Sequence, residues 1–130
     1  MVEVTARRAS LTIPGRFPSL NEYVAAGRRN RYQSAKIKQT ETTRAARAAA
    51  GIAPFSCPVR VSFLWVEPNR RRDLDNVAFS KKFILDGLVA AGVLVDDSPR
   101  YVVGLQDAFE YDKTNPRVEV VIEECDETSR

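Results

Sequence analysis

The chain contains no histidine. That absence removes catalytic triads and general-base mechanisms built on imidazole, together with zinc sites of the histidine type. A metal here has to be held mainly by oxygen, which favours Mg²⁺ or Mn²⁺ over Zn²⁺. Only two cysteines are present, Cys57 and Cys125, far apart in sequence and in no metal-ligand spacing. There is no run of about 18 apolar residues, so no membrane span is expected. Residues 1–10 alternate polar and apolar side chains without an apolar h-region, so no export leader is expected. The two thiols then read as reduced cysteines of a cytoplasmic protein.

Acidic side chains are scarce in the front of the chain. Residues 1–72 carry 4 Asp/Glu against 14 Lys/Arg, and residues 73–130 reverse the balance with 13 against 6. The cationic part suits a polyphosphate partner such as nucleic acid. What remains is ordinary for a globular chain: 130 residues, 44% apolar and 28% charged. That length suits a single domain, residues 1–130, with a core of its own.

Leu11-Thr12-Ile13, closed by Pro14-Gly15, reads as a strand. Residues 16–31 hold Pro18-Ser19, Asn21, Gly27 and four arginines without a core pattern, and read as a loop in which Asn21 is a candidate ligand contact. Residues 33–50 lack Gly and Pro and favour a basic helix that packs closely through its alanines, with Gly51 as its stop. Val59, Val61, Phe63 and Trp65 recur with period two in a well-buried strand. Residues 73–91 read as one helix, with Leu74, Val77, Ala78, Ile84, Leu85, Leu88 and Ala91 in a single stripe and Lys81 inside its arc. Residues 101–111 and 117–124 read as strands joined by a connection of hairpin length, the second showing one face to water. The short polar tail after Glu124 is expected to fray. The pattern predicts an α+β fold in the order β-α-β-α-β-β: a two-layer sandwich of a small mixed four-stranded sheet with two helices on one side.

The chemistry concentrates in Arg70-Arg71-Arg72-Asp73-Leu74-Asp75-Asn76 and in Asp96-Asp97. Each piece alone has a plain structural explanation: a carboxylate at a helix start is commonly a cap or dipole partner, and Asp-Asp before Ser-Pro is commonly a turn. Together they suggest more. Two carboxylates two residues apart repel without a cation, and a third from Asp96 or Asp97 would complete an oxygen site for Mg²⁺. Such an ion polarises a phosphodiester and activates water. The arginines just upstream add phosphate affinity. A lysine on the following helix, Lys82 on the flank of Asp75 or Lys81 nearer the core, would offset charge developing on the phosphate.

These residues resemble the RusA family of Holliday junction resolvases. The resemblance rests on Arg-Arg-Arg-Asp-Leu-Asp-Asn, the helix carrying Lys and Leu-Asp-Gly-Leu, Ala-Gly-Val-Leu-Val-Asp-Asp-Ser, and the early Ile-Pro-Gly-Arg-Phe-Pro-Ser-Leu-Asn segment. It runs from about Leu11 to Glu123. It implies a small homodimeric Mg²⁺-dependent endonuclease of bacteria and their prophages, cutting four-way DNA junctions by paired nicks, with Mn²⁺ as a substitute ion. It also implies that Asp73, Asp75 and Asp97 are the metal ligands. The family places a lysine four residues after the second carboxylate, where this chain has Phe79. Reading Phe79-Ser80-Lys81 as a three-residue insertion makes Lys82 the matching lysine. Arg70, Arg71 and Arg72, with Asn21, Arg28, Arg29, Arg31, Lys36 and Lys38, are then the expected DNA contacts. Two readings stand beside this one: a non-catalytic nucleic-acid-binding module whose carboxylates only cap the helix, and a nuclease of broader branched or flap-DNA specificity.

Overall fold

A computed structural model describes residues 6–125. Residues 1–5 and the tail at 126–130 lie outside the described part, and so does the expectation that the tail frays. The elements are β1 (Arg8–Pro14), α1 (Leu20–Arg29), α2 (Arg31–Ala48), β2 (Val59–Glu67), α3 (Leu74–Ala78), α4 (Lys81–Ala90), β3 (Val102–Tyr111) and β4 (Arg117–Glu124). The α+β class and the mixed four-stranded sheet agree with the sequence pattern. The order is β-α-α-β-α-α-β-β among the described residues, with four helices where two were expected.

The sheet order is β1-β4-β2-β3, with β2 and β3 parallel and the other pairs antiparallel. The hairpin expected between β3 and β4 is therefore absent, and β2 lies between them. The parallel pairing follows from the intervening helices, because parallel neighbours need a long crossover connection. From Tyr111 the chain steps over the end of β2, where the Asp112 N–H donates to the Glu67 carbonyl at 2.8 Å.

Period-two patterning sets the core face. Val59, Val61, Phe63 and Trp65 of β2 are buried with Leu11 and Ile13 of β1 and Val118, Val120 and Ile122 of β4. The alternate positions Arg60, Ser62 and Leu64 are exposed or half-buried, so the helices cover one face. Alpha-2 packs against both α4 and α1 in that layer. Val77, Ile84 and Leu88 join the core as the stripe predicts, whereas Leu74 stands 50% exposed. Alpha-2 lies close to α4: a Cβ built on Gly87 would fall 2.5 Å from the Ala45 Cβ and 2.8 Å from the Thr42 carbonyl oxygen.

Two helix assignments differ from the sequence reading. The segment expected as a loop contains α1, which opens with a capping box: Ser19 Oγ accepts from the Glu22 N–H while the Glu22 side chain accepts from the Ser19 N–H. That reciprocal pair satisfies two otherwise orphaned donors and starts the helix despite its polar surface. The helix expected over residues 73–91 is broken into α3 and α4 at Phe79-Ser80. There the bonds tighten to three-residue spacing, from the Ser80 N–H to the Val77 carbonyl and from the Lys82 N–H to the Phe79 carbonyl, both at 3.3 Å. Ser80 is fully buried and donates its hydroxyl proton to the Pro18 carbonyl, not to its own helix end.

Candidate metal and DNA site

Beta-2 delivers the chain to a turn that carries the arginines and the first two carboxylates. Glu67, the last residue of β2, is 6% exposed. Its Oε1 accepts from Arg16 at 2.6 Å and lies 3.7 Å from the Arg72 guanidinium. Arg72 also donates to the Phe17 carbonyl at 2.8 Å and pairs with Glu22, the residue that closes the α1 capping box. The neighbouring arginines are differently placed. Arg70 stacks its guanidinium 4.2 Å from the Tyr111 ring centre, and Arg71 is exposed, with its N–H bonded to Asn69 Oδ1 at 3.0 Å.

Asp73 is the N-cap residue of α3, with extended backbone at φ −65° and ψ 149°. Its carboxylate makes no capping bond, so this aspartate is not explained as a cap. Asp75 lies in the first turn of α3 and its Oδ1 accepts from the Asn76 N–H at 3.0 Å. Both aspartates are exposed. Asn76 Oδ1 accepts from the Asn21 N–H at 3.3 Å, which places the start of α1 beside the Asp-x-Asp turn. The structure thus gathers Asn21, Arg72, Asp73 and Asp75 in one region.

Asp97 is placed elsewhere. The loop that carries it leads into β3, whose first residue pairs with Val59 at the beginning of β2; the Val59 N–H bonds the Tyr101 carbonyl at 2.9 Å. Asp73 and Asp75 follow the opposite end of β2, and a nine-residue strand spans about 27 Å. Consistent with that separation, no group of three acidic or thiol side chains able to hold a metal forms among the described residues. Two hard oxygen donors, Asp73 and Asp75, follow one end of β2, a donor set that fits Mg²⁺ in kind, and the third expected ligand lies toward the other end.

The two lysines are distinguished by their partners. Lys81 pairs with Asp107 on the edge strand β3, and Trp65 Nε1 donates to the same carboxylate at 2.9 Å. Lys82 is more open, its side chain 60% exposed and 3.6 Å from Asp86. Phe79, standing where the family has its lysine, packs against Tyr23 and Phe83 with ring centres 5.5 and 5.6 Å away. The helix break also separates Asp75 from Lys82, so the two do not share the face of one continuous helix.

Arg28, Arg29, Arg31, Lys36 and Lys38 are all exposed around the junction of α1 with α2. Among them, Arg29 lines a cavity together with Arg16, Glu22 and Arg72.

Sequence reasoning did not single out Glu67 or Asp107. An apolar strand ending in Glu-Pro read simply as a strand stop, and Asp107 lay unremarked within a strand. Their engagement with Arg72 and Lys81 follows from the β2–β3 pairing and the position of α1. Among curated proteins none matches the chain. The family model described as endodeoxyribonuclease RusA matches it over residues 14–123.

Proposed function

The chain belongs to the RusA family of endodeoxyribonucleases, and from that premise we propose that it resolves four-way DNA junctions by paired, symmetric, Mg²⁺-dependent nicks. The observation that carries this reading is the uncapped Asp73 beside Asp75, two exposed carboxylates at the mouth of a turn that also bears three arginines. Asp73 and Asp75 are the ligands that one protomer contributes to the ion. Bound there, Mg²⁺ would supply Lewis acidity and an activated water; Mn²⁺ offers similar chemistry. Arg70 and Arg71 hold the backbone phosphates next to the carboxylates, while Arg28, Arg29, Arg31, Lys36 and Lys38 bind a neighbouring stretch of duplex. Asn21 borders the same surface from the start of α1. Lys82 offsets the charge that develops on the scissile phosphate. Supporting that role, Lys82 is the open lysine of the first turn of α4, where no acidic residue lies, and its charge adds to the positive end of the helix dipole.

The position of Asp97 bears on assembly. As a third ligand it would have to reach Asp73 and Asp75 from Asp97 of the partner subunit in a two-fold homodimer. Such a dimer also presents two active sites to two strands of a near-symmetric junction. No described helix is long and apolar enough to cross a membrane; we place the enzyme in the cytoplasm of a bacterium or in a resident prophage, acting in DNA recombination and repair.

The test is a labelled four-way junction, a flap and a duplex, each incubated with and without Mg²⁺. Symmetric junction cuts are expected, and Asp75→Asn should slow them by at least about 100-fold, the loss of a few kcal/mol of charge stabilisation. Mixing Asp75→Asn with Asp97→Asn protomers should restore nicking if the site is shared, because one of the two sites in the mixed dimer then keeps both aspartates. Binding without cleavage by the unaltered protein would instead identify a non-catalytic module. Equal cutting of flap and junction would identify broader branched-DNA specificity.

A further inference from the structure

We propose that Glu67 is a positioning residue for the Asp73–Asp75 turn, acting through Arg72. The inference rests on the reading of those aspartates as metal ligands. Glu67 is a buried carboxylate at the end of a core strand, and a buried charge persists only when paired. Its partners are Arg16, at 2.6 Å, and Arg72, at 3.7 Å. Arg72 spends its planar fork on the Phe17 carbonyl and on Glu22 as well, and its side chain is only 19% exposed. One guanidinium therefore ties together the end of β2, the segment leading into α1 and the capping box of α1. The next residue in the chain is Asp73.

This arrangement has a chemical consequence. Asp73 has no side-chain bond to its own helix end, so its direction depends on the backbone that carries it. That backbone is fixed on its N-terminal side by Arg72. On its C-terminal side α3 is fixed to α1 through the bond from the Asn21 N–H to Asn76. The two attachments hold the turn at both ends against α1. Arg72 thus faces inward toward protein acceptors, unlike Arg71, which is exposed. Of the three consecutive arginines, the last sets the geometry of the carboxylates and the others are left for phosphate.

The experiment uses the full chain with Glu67→Gln, Arg72→Lys and Arg71→Ala. Junction affinity is measured in Ca²⁺, and single-turnover cleavage at saturating DNA is measured across a Mg²⁺ titration. Glu67→Gln should lower the cleavage rate at least tenfold (about 1.4 kcal/mol) and raise the Mg²⁺ concentration for half-maximal rate, with junction Kd within about twofold. Arg72→Lys keeps the charge but loses the fork, and should show the same split if Glu67→Gln does not stay folded at the assay temperature. Arg71→Ala should do the reverse, weakening Kd more than the rate. An unchanged rate and Mg²⁺ dependence in a folded variant would overturn the proposal. So would a loss confined to Kd, which would make the Glu67–Arg72 pair part of the DNA grip. Failure of the underlying reading is separately visible: Asp75→Asn would then cut as fast as the unaltered protein.

Discussion

Two glycines in helices should respond to the same substitution with opposite signs. Replacing glycine by alanine inside a helix ordinarily stabilises by about 0.8–1.0 kcal/mol through backbone entropy. Gly27 of α1 has room: an added Cβ would meet Ser34 at 3.6 Å, ordinary van der Waals contact. Gly87 of α4 does not, because the same atom would fall 2.5 Å from the Ala45 Cβ, 2.8 Å from the Thr42 carbonyl oxygen and 2.9 Å from the Ala46 nitrogen. Two of those three neighbours are backbone atoms, so relief requires α2 and α4 to move apart. Overpacking of this kind costs about 1–3 kcal/mol, and contact with rigid backbone argues for the upper end. Net of the helix gain, Gly87→Ala should destabilise by about 2 kcal/mol. At an unfolding entropy of about 2.1 cal/mol/K per residue, the 130-residue chain should melt about 7 °C lower with Gly87→Ala and about 2–4 °C higher with Gly27→Ala. Thermal unfolding followed by circular dichroism, with urea midpoints as a second measure, checks both. A melting temperature for Gly87→Ala at or above that of the unaltered protein would refute the close α2–α4 approach.

The remaining predictions concern the charged surface and a thiol. Removing Arg28, Arg29 or Arg31 singly should weaken junction and duplex binding alike and reduce the slope of log K against log salt by about one each, read from titrations at several salt concentrations. Burial, reinforced by the nearby Glu124 carboxylate, pushes the Cys57 thiol above its ordinary pKa. Cys57 should therefore alkylate more slowly in the folded chain at pH 8 than in urea, as measured by peptide mass spectrometry; equal rates would refute that environment. The sign follows from linkage: the folded state holds the thiol proton more tightly, so this group's contribution to stability is present at neutral pH and is lost as pH rises through the folded pKa.

Much of the core was legible because it depends on short periods. Val59 to Trp65 alternate, Val118 to Ile122 alternate, and both sets are buried as that alternation requires. Alpha-1 was hidden by composition, since its arginines and Gly27 outweighed the Ser19–Glu22 capping signal. The break at Phe79-Ser80 carried no glycine or proline to announce it; it arises where the Ser80 hydroxyl bonds a carbonyl 62 residues away in sequence. Strand order was out of reach for a related reason. A five-residue connection fits a hairpin equally well whether or not a third strand occupies the space between its ends. The Asp-x-Asp could be placed from its neighbours in sequence, whereas the position of Asp97 depended on β3 running parallel to β2, a fact of topology.

That topology also constrains how the chain reaches its native state. Among the described residues β4 is the last strand yet sits between β1 and β2, and it is the one strand that β1 pairs with there, through partners such as Arg8 and Glu123. Sheet completion thus waits on contacts between residues far apart in sequence, where loop-closure entropy is lost before pairing offsets it. The crossover from β2 through α3 and α4 to β3 can form on its own scale of sequence separation, and it already contains the Asp73–Asp75 turn. Until β4 docks, however, β2 presents an open edge on the side opposite β3. An intermediate with β2 and β3 paired and that edge open is a ready template for another chain. The folding step most exposed to misassociation is then the arrival of the last strand.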